Sequence, residues 1–235
     1  MQLHTLTPDF SHILFDEPSS VFHVLTESER KLFLDRMEVR KYRKGDFICR
    51  TGDLPAGLFC LISGTAKICR IGAGGREHIF RTTQPNALFG YISLFTNHVY
   101  SVSVKAIEDI AAAVIDHETL FSLLRTNSEL SILFIKLLTT ELSLSYFRTV
   151  MLTQKQMPAR LAETLLFLRD TYGFEKDGVT LTVRFSRENI ANLSNMTTAN
   201  AIRTLSSFAG EKLIGLEGKR IKLLDIDGIK KKSGS

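Results

Sequence analysis

The pattern of hydrophobic and polar residues first changes character near residue 39. Across residues 39–115, short apolar and β-branched runs alternate with glycine-containing turns. Consecutive strands are predicted over residues 58–62 and 66–70, and a later buried strand over residues 111–115. Turn signals at such short intervals are typical of an antiparallel sheet that is closed or sandwiched. We expect a small β-barrel here.

Helical spacing replaces this pattern from His117 onward and leads into an apolar-rich stretch, residues 129–152, without glycine or proline. The apolar side chains of this stretch include Leu130, Leu133, Phe134, Leu137, Leu138, Leu142 and Leu144. They would cover more surface than one barrel needs to hide, so we predict a long helix with a second face against a partner helix. A single internal core helix remains the alternative, because periodicity does not identify the partner.

A further helix is predicted between Pro158, which is tolerated in a first turn, and Gly173, which is suited to a helix end. The domain boundary should then lie near residues 154–157. Residues 179–185 alternate between apolar and polar side chains, the pattern of a strand with one buried face.

Two short helices should follow, with Ser186 and Thr197 as their N-caps and a tight turn at Asn195 and Met196 between them. In the second helix, the side chains predicted to face inward are Ala201, Ile202, Leu205 and Phe208. An outward stripe led by Thr197 and Thr198 remains, which fits a DNA recognition helix whose N-terminal turn meets base edges.

Glycine-rich sequence after this helix predicts a hairpin, in which residues 213–216 and 220–223 flank a turn at residues 217–219. Such a hairpin would form a basic wing against the DNA backbone. The predicted DNA contacts are Ser186, Arg187, Thr197, Thr198, Ala199, Arg203, Ser206, Lys219 and Arg220. A helical hairpin used only for protein contacts is the alternative.

Charge is distributed unevenly between the two parts of the chain. Residues 1–155 contain 17 Lys and Arg against 16 Asp and Glu, an excess of +1, whereas residues 156–235 contain 13 against 9, an excess of +4. A positive C-terminal segment favours a polyanionic partner, since phosphate contacts supply the sequence-independent part of nucleic-acid affinity. A solvated basic face with a disordered tail at residues 230–232 would give the same counts.

Three cysteines, Cys49, Cys60 and Cys69, match neither a C-x-x-C pair nor a zinc ribbon. Residues 1–10 lack a basic segment followed by an apolar stretch, and no unbroken run of 18 apolar residues occurs. We therefore expect a soluble cytoplasmic protein with reduced thiols and no membrane association.

The order and spacing of several short motifs resemble the Crp/Fnr family of bacterial regulators over about residues 25–230. The motifs are Lys44-Gly45-Asp46-Phe47, Leu88-Phe89-Gly90, Phe185-Ser186-Arg187-Glu188-Asn189-Ile190-Ala191 and Gly218-Lys219-Arg220-Ile221. The resemblance implies an α+β chain with a cyclic-nucleotide-binding-type β-barrel, which is a double-stranded β-helix, then a long dimerisation helix and a winged helix-turn-helix. The expected domains are residues 1–125, including an N-terminal helical segment, residues 126–155 and residues 156–235. The expected partners are a second copy of the chain, a palindromic double-stranded DNA operator and RNA polymerase.

The sequence departs from the cAMP-binding members of this family, which hold the cyclic phosphate with Gly-Glu-x-x-x-Phe followed by Arg-Ser. The aligned positions here are Gly90, Tyr91, Phe95, Tyr100 and Ser101, so both the glutamate and the arginine are tyrosines. A buried phosphate without that cation would carry a large desolvation cost, which makes cAMP an unlikely effector. An iron-sulfur cluster of the oxygen-sensing type is also not expected, because residues 1–48 contain no cysteine.

The effector pocket is predicted from the same alignment. Its expected lining is Gly90, Tyr91, Phe95, His98, Tyr100 and Ser101, facing Ser145 and Tyr146 on the long helix. Aromatic side chains without a fixed positive charge favour a flat, largely apolar ligand, with haem as the leading candidate and His98 as its possible ligand. Alternatively, these aromatics simply fill the cavity. The cysteines are expected to be buried and inert in strands, with redox sensing as the less favoured interpretation.

The recognition helix also departs from the best-known family members. Thr198 and Ala199 replace an Arg-Glu pair, whereas Arg203 matches the arginine four residues after that glutamate. The DNA half-site should therefore differ from theirs at the base pairs that Thr198 and Ala199 contact.

Two other function classes are alternatives to a DNA-binding regulator. A cupin-like metal oxygenase needs clustered histidines, but the six here are scattered without H-x-H spacing: His4, His12, His23, His78, His98 and His117. No catalytic or metal-binding residue is therefore predicted. A pure interaction module would lack salt-dependent affinity for duplex DNA.

Overall fold

The computed structural model describes residues 10–17, 20–72, 74–75 and 77–234. The chain divides into two compact units, one of residues 1–70 and 80–141 and the other of residues 71–79 and 142–235. Residues 1–9, which begin the predicted barrel domain and include His4, lie outside the described residues.

Short helical segments and two sheets build the first unit. A π-helical turn (His12–Asp16) and a 3₁₀ turn (Val21–Val24) precede α1 (Glu27–Arg36). Thr26 and Glu29 begin α1 with a capping box, in which each side chain accepts from the other residue's backbone N–H. The strands are β1 (Glu38–Tyr42), β2 (Phe47–Cys49), β3 (Leu58–Ser63), β4 (Ala66–Ile71), β5 (Glu77–Thr83), β6 (Leu88–Phe89), β7 (Ser103–Ala106) and β8 (Ile110–Ile115). Helix α2 (Tyr91–Thr96) lies between β6 and β7, and α3 (His117–Thr126) follows β8.

The strands form two four-stranded sheets, in the orders β1-β8-β3-β6 and β2-β7-β4-β5, whose assigned pairings are antiparallel. Neither sheet closes on itself. The predicted barrel is therefore a sandwich, the second of the two arrangements that the turn spacing allows. Both faces of its central strands are buried, which is why these strands read as continuous apolar runs.

Alternation along β3 and β8 separates two hydrophobic cores. Phe59 and Leu61 belong to one core with Ala112 and Val114, together with residues of the second sheet. The intervening side chains of the same strands, such as Cys60 and Ile62, belong to a second core with the helices. This period of two is the reason that one sheet can pack on two partners at once.

The predicted long helix is present as α4 (Ser128–Gln154). Leu130 and Phe134 are buried in the helix-side core, and Leu137 and Leu138 pack against it. Another set of large apolar side chains on this helix is exposed in the single chain: Ile132, Ile135, Leu142, Leu144, Tyr146 and Val150. By length and hydropathy alone, α4 would also suffice to cross a membrane.

The second unit contains α5 (Met157–Tyr172), α6 (Arg187–Leu193), α7 (Thr198–Gly210), β9 (Ile214–Glu217), β10 (Arg220–Leu223) and α8 (Ile226–Ser233). Pro158 lies in the first turn of α5 and Gly173 caps its C-terminal end with φ 69°, both as predicted. The strands β9 and β10 pair antiparallel as the predicted hairpin.

The structure contradicts one expectation for this unit and one part of an alternative interpretation. Residues 179–185 do not form a regular strand: the described bridges there are isolated, Phe174 with Leu181 and Thr180 with Lys222. Asp177 bonds the backbone and hydroxyl of Thr180, so the buried Thr180 belongs to a turn rather than to an outward strand face. The basic tail is also not disordered, because residues 230–232 lie in α8, where Asp225 caps the helix and Ile229 is buried.

Candidate DNA-binding interface and effector site

Helices α6 and α7 form the predicted helix-turn-helix. The Ser186 hydroxyl accepts a hydrogen bond from the backbone N–H of Asn189 at 3.1 Å, and Thr197 accepts from that of Asn200 at 3.2 Å. Both predicted N-caps are therefore present. Asn195 in the connecting turn adopts φ 49°, a left-handed conformation that asparagine tolerates better than most residues.

A buried contact fixes this pair of helices on α5. The hydroxyl of Ser194 donates to Thr164 Oγ1 at 2.9 Å, and both residues are buried. Ala201, Leu205 and Phe208 form the inner face of α7. These contacts leave one face of α7 directed at solvent.

That exposed face carries most of the residues predicted to contact DNA: Thr197, Thr198, Ala199, Arg203 and Ser206 are all exposed. Ile202, in contrast, is predicted from the sequence to face inward, yet this residue is 45% exposed. The reason is geometric. Ala201, Leu205 and Phe208 already complete the inner face at spacings of four and three, and residue 202 lies about 100° around the helix from residue 201.

Arg203 is anchored on its own helix, since its guanidinium donates to Oδ1 of Asn200. Among the described residues, no acidic side chain forms an ion pair with Arg203. Its remaining guanidinium donors face solvent, which suits bidentate recognition of a guanine or a phosphate.

The basic residues near the wing differ in their surroundings. Arg187 donates to the backbone oxygen of Gly218 at 2.8 Å and so holds the wing turn, and burial lowers the pKa of its guanidinium. Arg220 forms an ion pair with Glu175, which also contacts Arg184 at 3.3 Å. Lys219, at the turn itself, is exposed. Of these three predicted DNA contacts, Lys219 is the most available to a phosphate.

The tyrosines predicted to line an effector pocket point into different cores. Tyr91 belongs to the helix-side core, whereas Tyr100 belongs to the core between the sheets. The Tyr100 hydroxyl accepts a hydrogen bond from the backbone N–H of Ala56 at 3.0 Å, and burial raises the pKa of both phenols. The two phenols are therefore packed in different cores and do not face each other, and Tyr100 joins the loop at Ala56 to the sandwich.

A positive charge that sequence reasoning missed lies beside Tyr91. Arg81 on β5 donates to the Tyr91 hydroxyl at 3.2 Å and to the backbone oxygen of Leu88 at 3.4 Å. Its other guanidinium nitrogen lies 2.8 Å from the carboxylate of Glu141 on α4. The expectation of a site without fixed positive charge is thus incorrect. Neither Arg81 nor Glu141 belongs to the aligned motif, so nothing in the motif points to them.

The other predicted pocket residues have different surroundings. Phe95 packs on Phe121 and Phe134, with ring centroids 5.2 and 5.9 Å away, and His98 and Ser101 are exposed. Gly90 is required by its backbone, because φ is +89° and a Cβ would lie 2.8 Å from the oxygen of Gly57. Ser145 and Tyr146 are exposed on α4 in the second unit.

An open depression of about 460 Å³ exists elsewhere in the sandwich. Its lining is Lys41, Tyr42, Arg43, Asp46, Ser63, Asp109, Ile110 and Ala111. None of the predicted effector residues contributes to it.

The three cysteines are buried, as expected. Burial raises the pKa of the Cys49 and Cys60 thiols to about 12, so both stay protonated and unreactive near neutral pH. Among the residues that the structure describes, no group of three or more His, Cys, Asp and Glu side chains is arranged to hold a metal ion.

Comparisons with known proteins agree with this architecture. The cyclic nucleotide-binding domain matches residues 39–127, and the Crp-like helix-turn-helix domain matches residues 159–232. Together the two matches span most of both units.

Individual relatives are distant in sequence, but each match covers three quarters or more of both chains. The chain is 24% identical to a CRP-like cAMP-activated global transcriptional regulator of Mycobacterium tuberculosis, over 92% of this chain and 96% of that one. It is 28% identical to the transcriptional activator protein Anr of Pseudomonas aeruginosa, over 79% and 76% of the two chains. The solved structure of FixK2 from Bradyrhizobium japonicum matches with a TM-score of 0.75 at 19% identity, over 85% of this chain and 98% of that one, and shows the shared fold.

Proposed function

The chain belongs to the Crp/Fnr family of transcription regulators, and on that premise we propose that it binds palindromic DNA as a homodimer under the control of an effector other than cAMP. It is a DNA-binding regulator and not an enzyme. The observation that carries the proposal is the exposed face of α7, where Arg203 stands without an acidic partner among the described residues. We propose that α7 enters the major groove.

The wing supplies the accompanying backbone contact in this proposal. Lys219 lies exposed in the turn that Arg187 holds in place. A lysine presented on a fixed hairpin suits a phosphate, which positions the protein without reading sequence. We propose supporting roles for Ser186 and Arg187, whose polar groups already hold the α6 cap and the wing turn.

Dimerisation is supported by the exposed apolar face of α4. Ile132, Ile135, Leu142, Tyr146 and Val150 follow one another at spacings of three, seven, four and four residues, which keeps them on one side of a helix. Such a stripe is costly in water and is suited to pairing with the same stripe of a second copy. A paired α4 also accounts for its high hydropathy without a membrane. We propose that the seam runs along these residues and not through Leu137, which packs against the core of its own unit.

Selection from random duplexes tests the function as a whole. We expect enrichment of an inverted repeat, with half-sites about one helical turn apart from centre to centre, because a symmetric dimer presents two recognition helices about 34 Å apart. Failure to enrich any inverted repeat would count against both DNA reading and symmetric assembly.

The proposed exclusion of cAMP depends on the residues around Tyr91. Neither tyrosine can replace a buried cation, and Arg81 is already neutralised by Glu141. A phosphate in this place would have to compete with that carboxylate. The relative from M. tuberculosis is named as cAMP-activated, so the two chains would differ in effector. Haem is less well supported than the sequence suggests, because His98 is exposed and Tyr91 and Tyr100 belong to different cores.

Calorimetry with cAMP and cGMP tests this exclusion directly. We expect no heat of binding at millimolar nucleotide, whereas micromolar cAMP binding would overturn it. A haem titration of wild type and His98→Ala tests the alternative that haem is the effector. If His98 binds haem, wild type should give a saturable Soret band that weakens in the variant.

Location and the transcription machinery complete the proposal. A regulator of this family acts where the DNA is, so we propose that the protein works in the cytoplasm and that its DNA-bound form contacts RNA polymerase. Activation of a reporter promoter that carries the selected repeat, in a purified transcription reaction, would test the second statement.

A further inference from the structure

An isolated apolar side chain stands on the DNA-facing surface of α7. Ile202 is 45% exposed and directly precedes Arg203 in the chain. On a helix it shares its face with Thr198, four residues earlier, and with Ser206, four residues later, and both of these are exposed. Ile202 therefore belongs to the surface that the proposed function turns toward base edges.

A single exposed isoleucine on an ordinary surface needs no explanation. This position differs because the neighbouring side chains are small or polar: Ala199 and Ser206 leave Ile202 as the most prominent apolar group on the exposed face. The inner face is already completed by Ala201, Leu205 and Phe208, so Ile202 does not contribute to the core of its unit.

The major groove offers one apolar group at the edges of its bases, the C5-methyl of thymine. Guanine, adenine and cytosine present hydrogen-bonding atoms but no methyl group there, and an isoleucine would desolvate those atoms without replacing their partners. Contact with a methyl group instead removes apolar surface of both partners from water.

We propose that Ile202 packs against the thymine methyl of a base pair adjacent to the one read by Arg203, and so specifies thymine at that position of each half-site. This inference rests on the proposed DNA-binding function. It assigns to Ile202 a specificity role that the alignment with the Arg-Glu pattern does not indicate.

Replacing thymine with deoxyuridine tests the contact, because it removes only the methyl group and keeps the hydrogen-bonding edge. The selected inverted repeat would be synthesised with each thymine replaced in turn, symmetrically in both half-sites. Wild type should lose affinity about fifteenfold at one thymine position, because burial of one methyl is worth roughly fourfold and the methyl is removed from both half-sites. The Ile202→Ala variant should bind the thymine and deoxyuridine operators within about twofold of each other.

Arg203→Ala serves as the matched control, because it weakens binding through the same helix and should keep the thymine preference. Ile202→Ala changes an exposed helical residue to the best helix former, so folding is expected to be preserved. If the repeat is enriched but no thymine position shows a discrimination that depends on Ile202, the inference fails and the proposed function stands. If no repeat is enriched, both fail.

Discussion

The guanidinium of Arg81 on β5 lies 2.8 Å from the carboxylate of Glu141 on α4, while the same guanidinium donates to the Tyr91 hydroxyl at 3.2 Å. A strand of the sandwich and the long helix are thus joined by charge beside the residue that replaces the glutamate of cAMP-binding relatives. An effector regulates only if it binds one conformation better than another. A ligand at Tyr91 would act on this pair, and through it on α4.

The strength of this ion pair can be measured with a double-mutant cycle of Arg81→Ala and Glu141→Ala. The side chains are 23% and 32% exposed, so solvent screens their attraction and we expect a coupling of about 0.5–1 kcal/mol in the free energy of unfolding. Urea unfolding at low and high salt provides the measurement, and the coupling should shrink at about 1 M salt. Strict additivity of the two single changes would show that the pair contributes nothing.

Assembly should depend on the exposed stripe of α4. Leu142→Glu would bury an unpaired charge in the proposed seam and should convert the protein from roughly twice its 26.4 kDa chain mass to a monomer. Light scattering at micromolar concentration gives the mass. Thr140→Glu places the same charge at an exposed position outside the stripe and should remain dimeric. A monomeric wild type, or a dimeric Leu142→Glu variant, contradicts the assignment.

Buried thiols should make stability depend on alkaline pH. Cys49 and Cys60 have pKa values raised from 9.0 to about 12 by burial, so their contribution to stability is complete below pH 9 and is lost as pH rises toward 12. Each thiol that ionises only in the unfolded chain adds a slope of about 1.4 kcal/mol per pH unit across that interval. Unfolding by urea at several pH values would measure the slope, which Cys60→Ala should reduce by about the amount of one thiol. An unchanged slope would mean that Cys60 is not protected in the folded protein.

Sequence patterns predict the elements of this chain better than the environment of single side chains. Pro158, Gly173, Ser186 and Thr197 are predicted correctly because each acts through its own backbone or through a partner three residues away. The failures arise from contacts between distant segments. Tyr91 and Tyr100 are close in sequence, but Tyr91 packs in the helix-side core and Tyr100 packs in the core between the sheets.

Arg81 is a residue that sequence reasoning missed for the same reason. No local motif contains it, and it reaches Tyr91 only because β5 and α2 are brought together by the fold. Ile202 is a subtler case: an apolar residue next to three inward positions looks like core, yet the helical period has already filled the inner face. Counting apolar residues does not separate Ile202 from the buried residues of α7, whereas their angular positions around the helix do.

The wing offers a test that separates free from paired basic residues. Lys219→Ala should lower the slope of log affinity against log salt by about 0.9 for each phosphate that is no longer neutralised, and so by about 2 for a dimer. Arg220→Ala should change this slope less, because Arg220 is already paired with Glu175. Titrations of the selected operator at several salt concentrations would measure both slopes. Equal slopes for Lys219→Ala and wild type would remove Lys219 from the interface.

The role of α7 as the recognition helix can be measured through the affinity of Arg203→Ala for the selected inverted repeat, by fluorescence anisotropy at physiological ionic strength. We predict a loss of about 5- to 150-fold for each guanine contact, the equivalent of roughly 1–3 kcal/mol. Arg169→Ala, which removes the same charge from an arginine on α5 that is paired with Asp170, should bind much as wild type does. If Arg203→Ala binds the repeat with wild-type affinity, α7 is not the recognition helix and the proposed mode of DNA binding is wrong.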